Sequence, residues 1–583
     1  MNYKQRTWIP ADEMTFNPIA VGSLAKIPVN NARTKIIGPS YQDALNSLAA
    51  KIWMIENAQY TVDLVYYIYK RDTVGYAILG ALCNAVKRGV DVRIMVDSLG
   101  SMHSNHDELR ALETCAIKAG YMKDATGFVT KNKARVQVVI INALSKAFVR
   151  MNRRAHDKII VVDGHAADKA IVMTGGRNIS VSYYGILEDG SPDPTAYQDL
   201  EIILRPDTET AVEKHTLGAM TTHYYTLLFL HSGNKRLRPN TFFTRGYKEE
   251  REKAQERLTY VKNIPEIKAS LATMSTYMNS WYSLSMVKLV HQLDNLTNEN
   301  VVSNAMENLH HNLNSIHNIG ADLTTNMVGP VKTLRMSSPY FFLARYEDKQ
   351  GHVAFDSVKN TYNWLTENPQ SSVELITNSA LTSDNFLAQA VIDMDTAPRL
   401  LLSPEQQEQW LSGLEEGEFN PELVESEEWK KSVNNPRIKI YQTGKLDSVL
   451  LSGTQNYGKL HAKSVVFGDV GYVGTSNFDY RSRLFNNEFG FFFKGDQLAA
   501  DLKKVFADLK AKSYRWGNPE WLEMRKQLMV QDSSKASTTR KQRGLYKSLS
   551  ATGLKNFSKV TGGWYSDSLI NRNSELAFKI SVY

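Results

Sequence analysis

A chain of 583 residues exceeds what one ordinary core organises, so two domains are expected. Its 42% hydrophobic content is that of a folded protein and excludes an intrinsically disordered one. The net charge of +8 favours an anionic partner, whether nucleic acid, phospholipid head groups or an acidic soluble substrate, without identifying it. No run approaches ~20 uninterrupted apolar residues, so no transmembrane helix is expected. The segment 1–20 has no apolar stretch of the kind that marks a secretory leader, so synthesis in the cytosol is expected. Cys83 and Cys115 are too few for a disulfide framework and lack zinc-ligand spacing; Cys83 reads as a small buried hydrophobe.

Residues 1–40 read as an N-terminal arm, followed by a first unit over 41–216. Just after Tyr60, TVDLVYYIY is β-branched and aromatic and predicts a buried strand. DTVGYAILGALCNAVKRG then repeats apolar residues at helical spacing and stops at Gly89. VDVRIMVDS predicts a second strand and RVQVVII, from Arg135, a third. Strands alternating with helices predict an α/β fold with a mostly parallel sheet.

Residues 217–325 read as a helical insertion, containing EEREKAQERLTYVK and the run ATMSTYMNSWYSLSMVKLV. That run is read as core between helices in preference to a lipid-facing surface. A second unit, 326–530, repeats the first: TLRMSSPYFF from Thr333, a helix around Asn360–Glu367, SSVELITNS, then RIKIYQ from Arg437. Residues 531–583 begin with QDSSKASTTRKQRGLYK and read as a flexible basic tail, with ATGLKNFSKVTGGWYSDSLI beyond it as a weak helix or docking arm.

Each trio of strands leads into a His-x-Lys segment. The first is RAHDKIIVVDG, with His156, Lys158 and Asp163; the second is KLHAKSVVFGD, with His461, Lys463 and Asp469. On a strand, residues two apart share a face. An imidazole there can attack phosphorus while an ammonium holds the non-bridging oxygens. A turn of small residues follows each pair and ends in an amide, Asn178 in TGGRN and Asn477 in GTSN, suited to donate to phosphate oxygens. A carboxylate follows in turn, Asp199 in AYQDLEIIL and Glu488 in NNEFGFFF, suited to orient an imidazole. One such set is weak as a signal; two sets in the same order within a repeated unit make coincidence a poor explanation. His103, His106, His310 and His311 form no ligand set, and no metal site is expected.

With these motifs the chain resembles the phospholipase D superfamily, whose signature is His-x-Lys-x4-Asp followed by Gly-Ser-x-Asn. Within it the resemblance is strongest to bacterial cardiolipin synthases without transmembrane helices. It runs from about Tyr60 to Asp508 through LVYYIYKRDTVGYAILGAL, RGVDVRIMVDS, GGRNI, SSPYFF, ITNSALTSDN and LHAKSVVF…VGTSNFDYRSRLFNNEFG. In the second motif the fifth residue after Lys463 is Gly468, and the acid, Asp469, comes one place late.

The resemblance implies two repeated α-β-α units with mixed sheets, packed about a pseudo-two-fold axis that brings both His-Lys sites into one cleft. It implies one phosphohistidine-forming histidine, with His156 as nucleophile and His461 as acid/base, and no cofactor. It also implies phospholipid substrates, cardiolipin as product, peripheral docking at the inner face of the membrane, and no nucleic-acid partner. The rival expectations are a phospholipase D hydrolase or effector releasing phosphatidic acid, a phosphodiesterase nuclease, and an inactive lipid-binding scaffold.

Overall fold

The computed structural model describes residues 29–102, 105–124, 126–145, 153–166, 168–207, 216–239, 244–297, 301, 308, 312, 315–316, 333–347, 352–412, 419–445, 458–549 and 560–561. Its first-half strands are β1 (Val29–Ile37), β2 (Thr61–Tyr66), β3 (Asp91–Asp97), β4 (Val136–Ile141), β5 (Lys158–Val162), β6 (Ile171–Gly175), β7 (Glu201–Arg205) and β8 (Lys235–Leu237). The second-half strands are β9 (Ser283–His291), β10 (Thr333–Ser337), β11 (Ser372–Thr377), β12 (Ile438–Thr443), β13 (Ser464–Phe467), β14 (Val470–Gly474), β15 (Phe489–Lys494) and β16 (Ser513–Arg515).

All of these join one sheet, in the order β8-β4-β3-β2-β5-β6-β7-β1-β9-β15-β14-β13-β10-β11-β12-β16. Outward from the β1–β9 seam, both halves run through equivalent strands: β7 and β15, β6 and β14, β5 and β13, β2 and β10, and so to the edges. The expected pseudo-two-fold order is present, and the two halves of the sheet meet edge to edge. Parallel pairing is confined to β2-β3-β4 and β10-β11-β12. The strands that follow each His-Lys segment return through short connections and pair antiparallel, so the sheet is mixed and not mostly parallel.

Helices cover both faces. Ser40 and Asp43 form a capping box at the start of α1 (Tyr41–Asn57), and Asp72 caps α2 (Thr73–Lys87). With α3 (Leu217–Phe229), α4 (Thr244–Asn263), α5 (Pro265–Asn279) and α6 (Asp496–Ala511) these complete the main layers. One face of the first half buries Val62, Leu64, Val92 and Ile94 beneath α1, α2, α4 and α5. The opposite face buries Val65, Met95 and Ile159 against α3, and this core continues through Leu289, Phe489 and Phe491 to α6. An apolar layer thus crosses the seam.

Several expectations change. Within the arm, residues 29–37 are β1, a strand at the centre of the sheet with Ala32 and Thr34 buried. The segment read as a helical insertion contains two strands: β8 at an edge and β9 at the seam. The helical run ends at Asn279, and SLSMVKLVH then buries Ser285, Val287 and Leu289 at the two-residue period of a strand. The tail is docked at least to residue 549, through helices Ser534–Arg540 and Gln542–Leu549. Its polar side chains find buried partners: Arg525 Nη2 donates to Gln542 Oε1 at 2.8 Å, and Arg543 Nε to the Trp410 carbonyl at 2.8 Å. Beyond it only Val560–Thr561 is described, paired parallel with Tyr346–Glu347; the rest of the proposed docking arm lies outside the described residues. Cys83 is buried as expected, but it is bonded to Cys115 in a disulfide between α2 and a short helical turn. Among the described residues, no helix is long and apolar enough to cross a membrane.

Candidate active site

The backbone carries each histidine to the seam and pairs it with the other half. Ala155 bridges Asn487, and the His156 N–H donates to the Asn487 carbonyl at 2.9 Å. In the mirror arrangement Gln198 bridges Leu460, and the His461 N–H donates to the Gln198 carbonyl at 2.8 Å.

The orienting carboxylates are crossed. His156 Nδ1 lies 3.0 Å from Glu488 Oε2 and 3.1 Å from the Thr475 carbonyl, both in the second half. His461 Nδ1 lies 2.6 Å from Asp199 Oδ2 in the first. A carbonyl and a carboxylate facing Nδ1 require it to carry the proton, which leaves Nε2 for chemistry. Thr475 Oγ1 donates to Glu488 at 2.6 Å and holds that carboxylate in place.

Lys158 and Lys463 are buried, each Nζ donating to the backbone carbonyl of its own motif's histidine. Burial, reinforced by the opposite lysine's charge, lowers Lys158 to about 7; burial lowers Lys463 to about 8. Both imidazoles are pushed down, chiefly by burial and then by the lysines, His156 well below the usual histidine range. The carboxylates differ. Burial raises Glu488 to about 7, whereas at Asp199 His461, Lys463 and Arg177 outweigh burial and hold it at about 2.

The cleft, about 420 Å³, brings together His156, His461, Asn178 and Asn477. Asn178 is held at both ends: its Oδ1 accepts from the Ile68 N–H, and its Nδ2 donates to Tyr183. Asn477 Oδ1 is buried without a partner among the described residues.

The two motif aspartates stand outside the cleft. Asp163 accepts from the backbone N–H groups of Gln59, Tyr60 and Thr61, so it ties β5 to the entry of β2. It adopts φ 51, and the equivalent place after β13 is Gly468 with φ 56. Glycine takes this left-handed turn without steric cost. Asp469 is then pushed onto the surface, 41% exposed and 3.8 Å from Lys494. Neither reaches a histidine, so the expectation of a catalytic role for Asp163 and Asp469 is corrected to a structural tie and an exposed turn residue. His106 sits 3.7 Å from Glu108; His103, His310 and His311 lie outside the described residues.

Other cleft residues were not singled out in the sequence: Arg481, Tyr183, Tyr197, Tyr340 and Asp384. Arg481 Nη2 is buried without a partner among the described residues. Its signal was its place four residues after Asn477, in SNFDYR. The tyrosines and Asp384 had no such marker.

A protein-family model described as "Cardiolipin synthase, PLD-like domain" matches residues 52–189, which include His156, Lys158 and Asn178. Cardiolipin synthase C of Escherichia coli (strain K12) is 29% identical over 172 residues, 28% of this chain and 30% of that protein. Major cardiolipin synthase ClsA of Bacillus subtilis (strain 168) is 28% identical over 178 residues, 30% of this chain and 32% of that protein. The matched segments thus span about a third of these relatives. Among solved structures, phosphatidylserine synthase of Haemophilus influenzae Rd KW20 superimposes with a TM-score of 0.52 at 14% identity, covering 93% of this chain and 99% of that one. The likeness to that structure is one of fold.

Proposed function

We propose that the chain is a phosphatidyltransferase of the phospholipase D superfamily that makes cardiolipin from phospholipids through a phosphohistidine intermediate. The observation that carries this reading is the crossed pair of histidines, each held by a carboxylate of the other half in one cleft.

His156 Nε2 attacks phosphorus, and the bond to the leaving alcohol breaks as the His461 imidazolium protonates its oxygen. His461, now neutral, takes the proton of an acceptor hydroxyl. That oxygen attacks phosphorus, the P–N bond breaks, and His156 is regenerated. The assignment follows the carboxylates. Asp199, anionic and 2.6 Å away, stabilises an imidazolium at His461, while His156, beside a Glu488 raised by burial, stays neutral and nucleophilic. Lys158, Lys463 and Arg481 balance the charge of the phosphoryl oxygens, and Asn178 and Asn477 donate hydrogen bonds to them. Asp199 and Glu488 orient the imidazoles.

An apolar cavity of about 560 Å³ supports a lipid substrate over a nucleic acid. It shares Phe342, Asp479 and Tyr480 with the catalytic cleft and is otherwise lined by side chains such as Leu334, Met336 and Trp364. An acyl chain of the substrate fits this chemistry. The protein reaches its lipids from a membrane surface, by peripheral contact. A disulfide persists best in an oxidising compartment, so the Cys83–Cys115 bond weighs against the cytosolic face expected from the sequence.

Mass spectrometry of products from mixed phosphatidylglycerol and phosphatidylethanolamine vesicles tests the reading. Cardiolipin formed by the wild type and not by His156→Ala is the expected result. Phosphatidic acid alone identifies the hydrolase that ends the same intermediate with water. No lipid turnover removes both and leaves the nuclease and the scaffold.

A further inference from the structure

Tyr183, Tyr197 and Asp384 line the catalytic cleft, yet the phosphohistidine chemistry uses none of them. The two tyrosine rings stack with centroids 4.6 Å apart, and they lie 5.3 and 5.2 Å from the His461 ring. Asp384 is tied to this wall by two hydroxyls. Tyr197 donates to one carboxylate oxygen at 2.7 Å and Tyr340 to the other at 2.8 Å.

A carboxylate on the wall of a cleft that receives a phosphate anion opposes that anion. Its presence there is favourable when the substrate brings hydrogen-bond donors to it. Two tyrosine hydroxyls occupy only part of its accepting capacity of about four lone pairs. The donors belong to the leaving alcohol, because His461, which protonates that alcohol, abuts the same tyrosines.

Two kinds of donor suit a carboxylate there, an ammonium and a hydroxyl. Lys459 Nζ lies 4.4 Å over the Tyr197 ring, and both Lys459 and Lys463 interact with the Asp384 charge. With two ammonium groups already nearby, a third is repelled, whereas neutral hydroxyls meet the carboxylate without that penalty.

We infer that Asp384, positioned by Tyr197 and Tyr340, determines head-group specificity: its carboxylate accepts the hydroxyls of a glycerol-type leaving group beside His461. The inference rests on the phosphatidyltransferase reading and names its head group.

The test compares initial rates of the full chain and Asp384→Asn on vesicles of phosphatidylglycerol, phosphatidylpropanol (which lacks both free hydroxyls) and phosphatidylethanolamine. The wild type is expected to favour phosphatidylglycerol over phosphatidylpropanol at least about tenfold in kcat/KM. Asp384→Asn is expected to erase about tenfold of that preference while leaving phosphatidylpropanol within about threefold. Equal loss on all three lipids assigns Asp384 to packing and overturns the inference. A wild-type preference for phosphatidylethanolamine that Asp384→Asn abolishes also overturns it, in favour of ammonium recognition. A wild type that turns over none of the lipids overturns the phosphatidyltransferase reading itself, a result distinct from an active enzyme whose preference ignores Asp384.

Discussion

At the residue scale the site is a balance among groups that burial discourages from ionising. Lys158 and Lys463, lowered to about 7 and about 8, lose their ammonium form as pH rises through those values. On the proposed reaction, phosphodiester affinity then falls in the same window: KM rises above about pH 7, by up to about tenfold per unit for each lysine. Lys158→Arg, whose guanidinium stays charged, flattens that rise; a KM that ignores pH in the wild type contradicts the account. Asp199 acts on stability with the opposite sign. Its folded-state value is depressed to about 2, so its contribution is complete above the ordinary carboxylate value and is lost as pH falls towards 2. Asp199→Asn should remove roughly 2 kcal/mol of stability at neutral pH and shallow the acid limb of a denaturation series. The crossed pairing has its own signature in a mutant cycle. Glu488→Gln lowers kcat about 10²–10⁴-fold in the wild type and adds almost nothing to His156→Ala, because both remove one unit. The histidines, lysines, amides and carboxylates were legible because they recur in one order. Which carboxylate serves which histidine was not, since that depends on a seam between segments far apart in the chain.

At the element scale the strands that feed the site were readable from β-branched runs such as VDLVY and VRIMV, which are buried on both faces. The seam strands were not. In β1 the sequence VNNARTKII is interrupted by polar residues, and β9 follows a helical run after three residues with only three alternating positions to mark the change. The helices of residues 534–549 read as polar because their partners, the carboxylate of Asp393 and the carbonyl of Trp410, lie elsewhere in the chain. Turn geometry yields a sharper prediction. A Cβ at Gly176, just after β6, falls 2.0 Å from Asp199 Oδ1. Gly176→Ala therefore displaces the carboxylate that orients His461. A fall in kcat of about 10–10²-fold with unchanged far-ultraviolet circular dichroism is expected; undiminished turnover contradicts the role given to Asp199.

At the scale of the whole molecule, the sheet and the apolar layer beneath it cross the seam without interruption. Boundaries were expected at 40, 216, 325 and 530; across them β1 and β9 pair with each other and with strands of both halves. One cooperative transition is expected in denaturant, with coincident fluorescence and circular-dichroism curves; two resolved steps contradict it. Phe491→Ala, in the strand beside β9, should cost about 3–5 kcal/mol and shift both curves together. Titration of the denatured, unreduced protein should find neither Cys83 nor Cys115 as a free thiol, and two thiols after reduction.

The exchange of carboxylates across the seam also bears on how such a chain can change over generations. A duplicated unit ordinarily offers a spare: one copy keeps the old task while the other drifts. On the proposed mechanism neither copy is spare, because a lesion at Asp199 would disable the histidine of the later copy and a lesion at Glu488 that of the earlier one. The two halves would then have to diverge in step, each tolerating only those changes that its sibling's histidine can survive.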